Sequence, residues 1–189
     1  MILIAYKSCL DNSDSRHETG VYLRNRLLKA AFGRDVREKV YIGKNSRPCI
    51  DIENADISVS HSKKAAAAAV SFKGNLVSEH LPENAVIINA TLKHIGIDIE
   101  LIEKENILLK KRIVKKYFSE KEERFLLSLD NDSFFEEFFN MWTLKESFAK
   151  SKSGGIKDVK NCDTFKISPV FSKKIKFGEE EYFLSVTGL

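Results

Sequence analysis

The sequence predicts an α+β fold, on three observations. Residues 15–32 and 133–152 repeat apolar side chains at helical spacing. Short stretches such as "MILIAYK" and "HIGIDIE" carry the apolar, β-branched character of strands. The two kinds of segment follow one another in mixed order, without a regular strand–helix–strand alternation.

Each element has a local reason. "MILIAYK" reads as a strand, and the polar "DNSDS" after it can cap a helix. That helix, 15–32, carries Val21, Leu23, Leu27, Leu28 and Ala31, and Gly33 ends it. "GKNSRPCIDIENADISVSHS" breaks into short extended pieces, because Pro48 excludes a helix. "AAAAAVSF" is ambiguous: five alanines favour a helix, while Val70 and Phe72 favour a strand. Turn signals over 73–93 give way to a strand-like "AVII". Residues 106–129 read as an amphipathic helix broken near Phe118–Ser119, and 133–152 as the strongest helix of the chain. "KSGGIKD" is expected as a loop, and "CDTFKIS", "KKIKF" and "EYFLSV" as strands.

Composition bounds the function. At 189 residues the chain makes one large domain or two small halves. Its 43% apolar and 31% charged residues are the balance of a soluble globular protein. No apolar run reaches the roughly 18–20 residues that cross a bilayer, and "MILIAYKSCL" is too short for a signal peptide. Cys9, Cys49 and Cys162 lack metal-ligand spacing, so they are read as reduced core thiols of a cytoplasmic protein. A net charge of +4 admits an anionic ligand or acidic partner without calling for nucleic acid. The lysine runs at 110–116 and 173–176 read as solvated faces.

The chemistry concentrates in three places. In "HIGIDIELIEK" (94–104), Ile97 and Ile99 point to one side of a strand, Asp98 and Glu100 to the other. Two like charges on one half-buried face repel unless something opposite compensates them. In "FFEEFFNMWTLKESFAK", Phe135, Phe138, Phe139, Trp142 and Ala149 share one helical arc, with Glu146 in its middle. Glu146 has two readings: an i,i+4 pair with Lys150 at the rim of the core, or a third carboxylate meeting Asp98 and Glu100 around a cation. Three hard oxygen donors without cysteine suit Mg²⁺ better than Zn²⁺. The third place is "ISVSHSKK". Ser60 and His61 are adjacent on a strand and point apart, which argues against a nucleophilic triad. They are either phosphate donors or part of a solvent-facing turn.

In combination these residues resemble the 4′-phosphopantetheinyl transferases, in particular their longer, monomeric, surfactin-type class. That family carries a G-[IV]-D-[IV]-E strand and a W-x-x-K-E-[SA]-x-x-K helix. Here they are "GIDIE" at 96–100 and "WTLKESFAK" at 142–150. "GKNSRPCI", "SVSHS" and "KKYFSEKE" match further family segments in the right order.

The resemblance implies two similar α+β halves related by a pseudo-twofold, with the active site between them. On this chain they are residues 1–93, contacting coenzyme A, and 94–189, carrying the metal. It implies transfer of the phosphopantetheine arm of coenzyme A to a serine of an apo acyl or peptidyl carrier protein. The reaction is Mg²⁺-dependent and releases adenosine 3′,5′-bisphosphate. Asp98, Glu100 and Glu146 match the metal ligands. His61, with Ser60 beside it, matches the coenzyme A phosphate contacts, and Arg47 a basic residue near the nucleotide. Lys150 matches the pyrophosphate lysine, and Lys145 belongs to the same motif. Glu146 or Glu122 would accept the serine proton. A cytoplasmic monomer that binds neither nucleic acid nor membrane is implied. The chain departs from the family at Asn45 and Ser46, which widen the "GKP" loop. It also departs at the asparagine before "SHS", replaced by Ser58 or Val59, and in the inserted 73–93 segment. The rival readings are a non-catalytic coenzyme A or nucleotide-binding protein, and a module binding a phosphate backbone through its lysine runs.

Overall fold

Five consecutive alanines form a strand here. The computed structural model describes residues 1–189 apart from Glu79, Thr91, Gly155 and Asn161 and the side chains of Ile156 and Lys157. In it Ala65–Phe72 (β5) is the strand enclosed on both faces, and Ala65–Ala69 are fully buried. Ala66, Ala68 and Val70 pack under helix α1 (Ser13–Phe32), whereas Ala65, Ala67 and Ala69 face a second sheet. A strand covered on both sides needs no polar alternation, and methyl side chains let both layers approach. Tertiary burial thus overrides helix propensity.

Two sheets share one topology. In the first, β1 (Ile2–Ser8) leads into α1, and the hairpin of β4 (Ala55–Ser62) and β5 returns beside it. The order is β4-β5-β1, extended by β6 (Val86–Ile88), which pairs antiparallel with the start of β1. In the second, β7 (Ile95–Leu101) leads through helices to the hairpin of β8 (Phe171–Phe177) and β9 (Glu180–Gly188), with β9 central. A small hairpin, β2 (Val40–Ile42) with β3 (Pro48–Ile50), stands apart. The sheets pack face to face: Ile2 and Ile4 with the odd alanines meet Ile95, Ile97, Ile99, Leu184 and Val186.

Among the helices, α4 (Asn131–Ser151) positions the site. One flank buries Phe134, Phe135, Phe138 and Phe139 in an aromatic cluster with Phe118 and Val114. The other lies on the second sheet through small side chains; Thr143 Oγ1 is 2.8 Å from Ser185 Oγ. Contact is closest over Gly96, where a Cβ would stand 1.8 Å from the Ser147 carbonyl oxygen. Only glycine admits that approach. The single apolar arc expected from the sequence therefore misses the second face: Thr143, Ser147 and Ser151, at i, i+4 and i+8, are all buried.

The break expected near Phe118–Ser119 separates α2 (Ile107–Tyr117) from α3 (Glu120–Leu127). Ser119 caps α3 in a reciprocal capping box with Glu122. Two expectations need correction. "CDTFKIS" is not a strand: residues 164–166 form a 3-10 turn, because the Asp163 side chain accepts from Phe165 N and Glu122 holds Thr164. The loop expected at 152–158 contains the start of a short helix, α5 (Ile156–Lys160); Gly155 lies outside the described residues. The cysteines are free, but only Cys162 is buried; Cys9 and Cys49 are partly exposed rather than core thiols. No helix among the described residues is long and apolar enough to cross a membrane.

Candidate active site

The site lies where β4, an edge of the first sheet, runs alongside β7, an edge of the second. Main-chain pairing does not join them. Instead the inward side chains of β4 act on β7 in register. Asp56 Oδ2 accepts from Ile95 N at 2.8 Å, and Ser58 Oγ from Ile97 N at 3.1 Å. Ser60 Oγ donates to Asp98 Oδ1 at 2.8 Å, and Ser62 Oγ to Glu100 Oε2 at 2.7 Å. Alternation along β4 sends Ile57 and Val59 into the core with α1 and leaves Asp56 and the serines for the seam. Of the two residues weighed for the family's asparagine position, Ser58 faces the seam and Val59 the α1 core.

Asp98 is the centre. It is buried at 3% exposure and faces α4. Lys150 Nζ donates to its Oδ1 at 2.6 Å and to Ser60 Oγ at 3.0 Å. The ammonium therefore goes to Asp98 and not into an i,i+4 pair with Glu146. Glu100 is pushed up to about 7, first by burial and then by the charge of Asp98. Glu146 is likewise pushed up to about 7 by burial and by Asp98. Burial opposes the charge on Lys150, but attraction to Asp98 and their hydrogen bond outweigh it, and its pKa rises. His61 is lowered by burial, then by the nearby charges of Arg16, Lys150 and His17.

These groups open onto a cleft of about 340 Å³ lined by His17, Arg24, His61, Asp98, Glu146 and Lys150 among others. An adjoining chamber of about 280 Å³ shares Ser46, Pro48, Val59, Glu146 and Lys150. His17 and Arg24 were not singled out from the sequence. Their signal is spacing: His17, Val21 and Arg24 lie at i, i+4 and i+7 on one face of α1.

The fit of a cation can be tested on the donors. Asp98 Oδ2 is buried and has no hydrogen-bond partner, so it has an oxygen to give. After burial, the charge of Asp98 is what raises Glu100 and Glu146, so the three carboxylates would gain from a shared positive charge. As they stand, no three His, Cys, Asp or Glu side chains among the described residues are gathered into a metal-binding cluster, and Lys150 supplies the positive charge at Asp98. The donor chemistry fits Mg²⁺.

Two candidate groups sit elsewhere. Glu122 and Lys145 are completely buried and paired with each other at 3.0 Å. Glu122 also accepts from Thr164 N and Thr164 Oγ1, both at 2.7 Å, and from Ser119 N at 2.6 Å. Lys145 donates to the Cys162 carbonyl and lies over the Phe118 ring. Arg47 lines the adjoining chamber, but its Nη2 donates to Asp56 Oδ2 at 2.6 Å and to the Ile95 carbonyl at 2.8 Å. The ion pair takes both main-chain groups of Ile95, as a strand neighbour would.

Residues 94–186 match the family model of the 4′-phosphopantetheinyl transferase superfamily. A relative, 4′-phosphopantetheinyl transferase Sfp of Bacillus subtilis (strain 168), is 30% identical over 111 residues. That match covers 58% of this chain and spans 39% of the relative's length. The matched stretch contains Asp98, Glu100, Glu146 and Lys150, and by it the second half of the chain is similar to the 4′-phosphopantetheinyl transferase superfamily.

Proposed function

We propose that this protein transfers the phosphopantetheine arm of coenzyme A to a serine hydroxyl of an apo acyl or peptidyl carrier protein. The observation that carries this is Asp98: a buried carboxylate with one unpartnered oxygen, flanked by Glu100 and Glu146 and opened to a cleft bearing Lys150 and His61. Such a site suits phosphoryl transfer, where catalysis is largely positioning and charge neutralisation.

Asp98, Glu100 and Glu146 would hold Mg²⁺, which when bound supplies neutralisation of the pyrophosphate charge. Lys150 donates to the pyrophosphate oxygens that gain charge as the bond breaks. His61 and Ser60 hydrogen-bond the phosphates, Arg24 adds positive charge along the same wall, and His17 lines it. Glu146 accepts the serine proton: its burial raises its basicity towards neutrality. This reading favours Glu146 over Glu122, whose oxygens are already taken by four donors in the core. Glu122 and Lys145 act through structure, fixing α4 so that its next residue, Glu146, reaches the cleft. Arg47 and Asp56 tie the halves together beside the nucleotide.

The carrier must approach at the cleft, and α2 leaves β7 there. Leu108 and Leu109 are exposed at its start, and Lys115 and Lys116 at its end. Lys110 and Lys111 rest on phenylalanine rings instead. An acidic carrier surface fits this apolar and basic face. The protein works as a monomer in the cytoplasm, which suits its free thiols. Incubation with Mg²⁺, coenzyme A and an apo carrier tests the reading: the carrier should gain the mass of one phosphopantetheine arm on its serine. Binding of coenzyme A with an unmodified carrier would leave only the non-catalytic alternative.

A further inference from the structure

Glu100 lies in the second half of the chain, and the hydrogen-bond partner the structure gives it comes from the first. Ser62 Oγ donates to Glu100 Oε2 at 2.7 Å and accepts from Leu101 N at 3.3 Å. The second bond directs the first. A serine hydroxyl has a single proton, and with a main-chain N–H on its oxygen that proton turns to the carboxylate. The cations next to Ser62 do not compete, because Lys63 pairs with Glu103 and Lys64 with Glu180, each at 2.9 Å. A glutamate side chain has several rotors and no preferred aim of its own; here one hydroxyl supplies the aim.

We propose that Ser62 is a positioning residue, which holds the Glu100 carboxylate turned towards Asp98 and so completes the donor set for a divalent cation. This rests on the reading of Asp98, Glu100 and Glu146 as cation ligands. Partners that hydrogen-bond a ligating carboxylate typically contribute about 10–100-fold to metal affinity. A hydroxyl that merely joined the two strands would change stability and leave the cation untouched.

The probe is Mn²⁺ alone, with free ion followed by electron paramagnetic resonance and folding by thermal melts. The proteins are wild type, Ser62→Ala, Ser62→Thr, Glu100→Gln and the Ser62→Ala, Glu100→Gln double variant. Ser62→Ala should weaken Mn²⁺ binding by about tenfold, and Ser62→Thr, which keeps the hydroxyl, should stay near wild type. In the Glu100→Gln background Ser62→Ala should add nothing, because its effect passes through Glu100. Ser62→Cys, a weak donor of similar size, gives the same comparison if the alanine variant does not fold. Unchanged Mn²⁺ binding by Ser62→Ala, or an equal loss in the Glu100→Gln background, overturns the proposal while the cation reading stands. A wild-type protein that binds no Mn²⁺ overturns the cation reading, and this proposal with it.

Discussion

Replacing Glu122 with alanine should unfold the protein more readily, not merely slow it. The substitution leaves the Lys145 ammonium sealed in the core, at 0% exposure, with its counter-charge gone. Removing one partner of a buried pair costs about 3–5 kcal/mol. Ser119 N and Thr164 N lose their acceptor as well. For a chain of this size each kcal/mol moves the melting temperature by about 2–4 °C, so a fall of roughly 6–20 °C is expected. Replacing both partners with apolar side chains should cost less than the two single losses added together, since no lone charge remains.

The pH dependence has a definite sign. Burial pushes the Glu122 carboxyl up, but hydrogen bonds from Thr164, Ser119 and Lys145 outweigh it and hold it below the ordinary glutamate value. A depressed folded pKa gives stability that is present above the unfolded value and lost as pH falls through the folded one. The deficit of Glu122→Ala should therefore be full at neutral pH and shrink in acid, below about pH 4.3. Melts and urea titrations across pH measure it. A variant that melts with wild type yet loses transfer would refute the structural role and return Glu122 to the part of proton acceptor.

Other outcomes follow from the same geometry. Gly96→Ala places a methyl group within 1.8 Å of one α4 backbone atom and 2.6 Å of another. Urea titration should show a loss of about 3 kcal/mol or more. Arg47→Ala strips the charge partner from Asp56, whose side chain is 8% exposed; a similar loss of about 3 kcal/mol is expected by thermal melt. A stable Arg47→Ala that only binds coenzyme A more weakly would make Arg47 a nucleotide contact instead. Calorimetry should show His61→Ala weakening coenzyme A binding more than it slows the saturated reaction. In Lys115→Glu, Lys116→Glu the Michaelis constant for carrier should rise at low salt and meet the wild-type value at high salt. A constant indifferent to salt would move carrier docking elsewhere.

Much of this was legible in the sequence, because periodicity reports one-sided burial. The alternation of "GIDIE" placed Ile97 and Ile99 against one layer and Asp98 and Glu100 against another, and the structure has them so. The break near Phe118–Ser119 was legible, and the structure adds that Ser119 caps the helix after it. What failed to show was packing on a second face. The alanine strand and the hydroxyl flank of α4 both depend on a neighbour brought in from far along the chain. Thr164 reads as part of a strand until Glu122 is known to hold its N–H. The shared strand order of the two sheets leaves no trace as a sequence repeat. In the site, the carboxylates and Lys150 were marked by charge in an apolar setting. His17, Arg24, Asp56 and Ser62 were not, because polar residues at a helix face or strand edge are ordinary until the opposite half supplies their partners. Arg47 looked like a free cation for the same reason.

The central claim is that the carboxylates around Asp98 carry transfer of the arm from coenzyme A to a carrier serine. The most direct measurement is the initial rate of adenosine 3′,5′-bisphosphate release, with wild type and Asp98→Ala, over a range of Mg²⁺ concentrations and with and without apo carrier. Wild type should release it only when carrier and Mg²⁺ are both present, and Asp98→Ala, folded by its melting curve, should release almost none at any Mg²⁺ concentration. A folded Asp98→Ala with the wild-type rate and Mg²⁺ dependence would contradict the account.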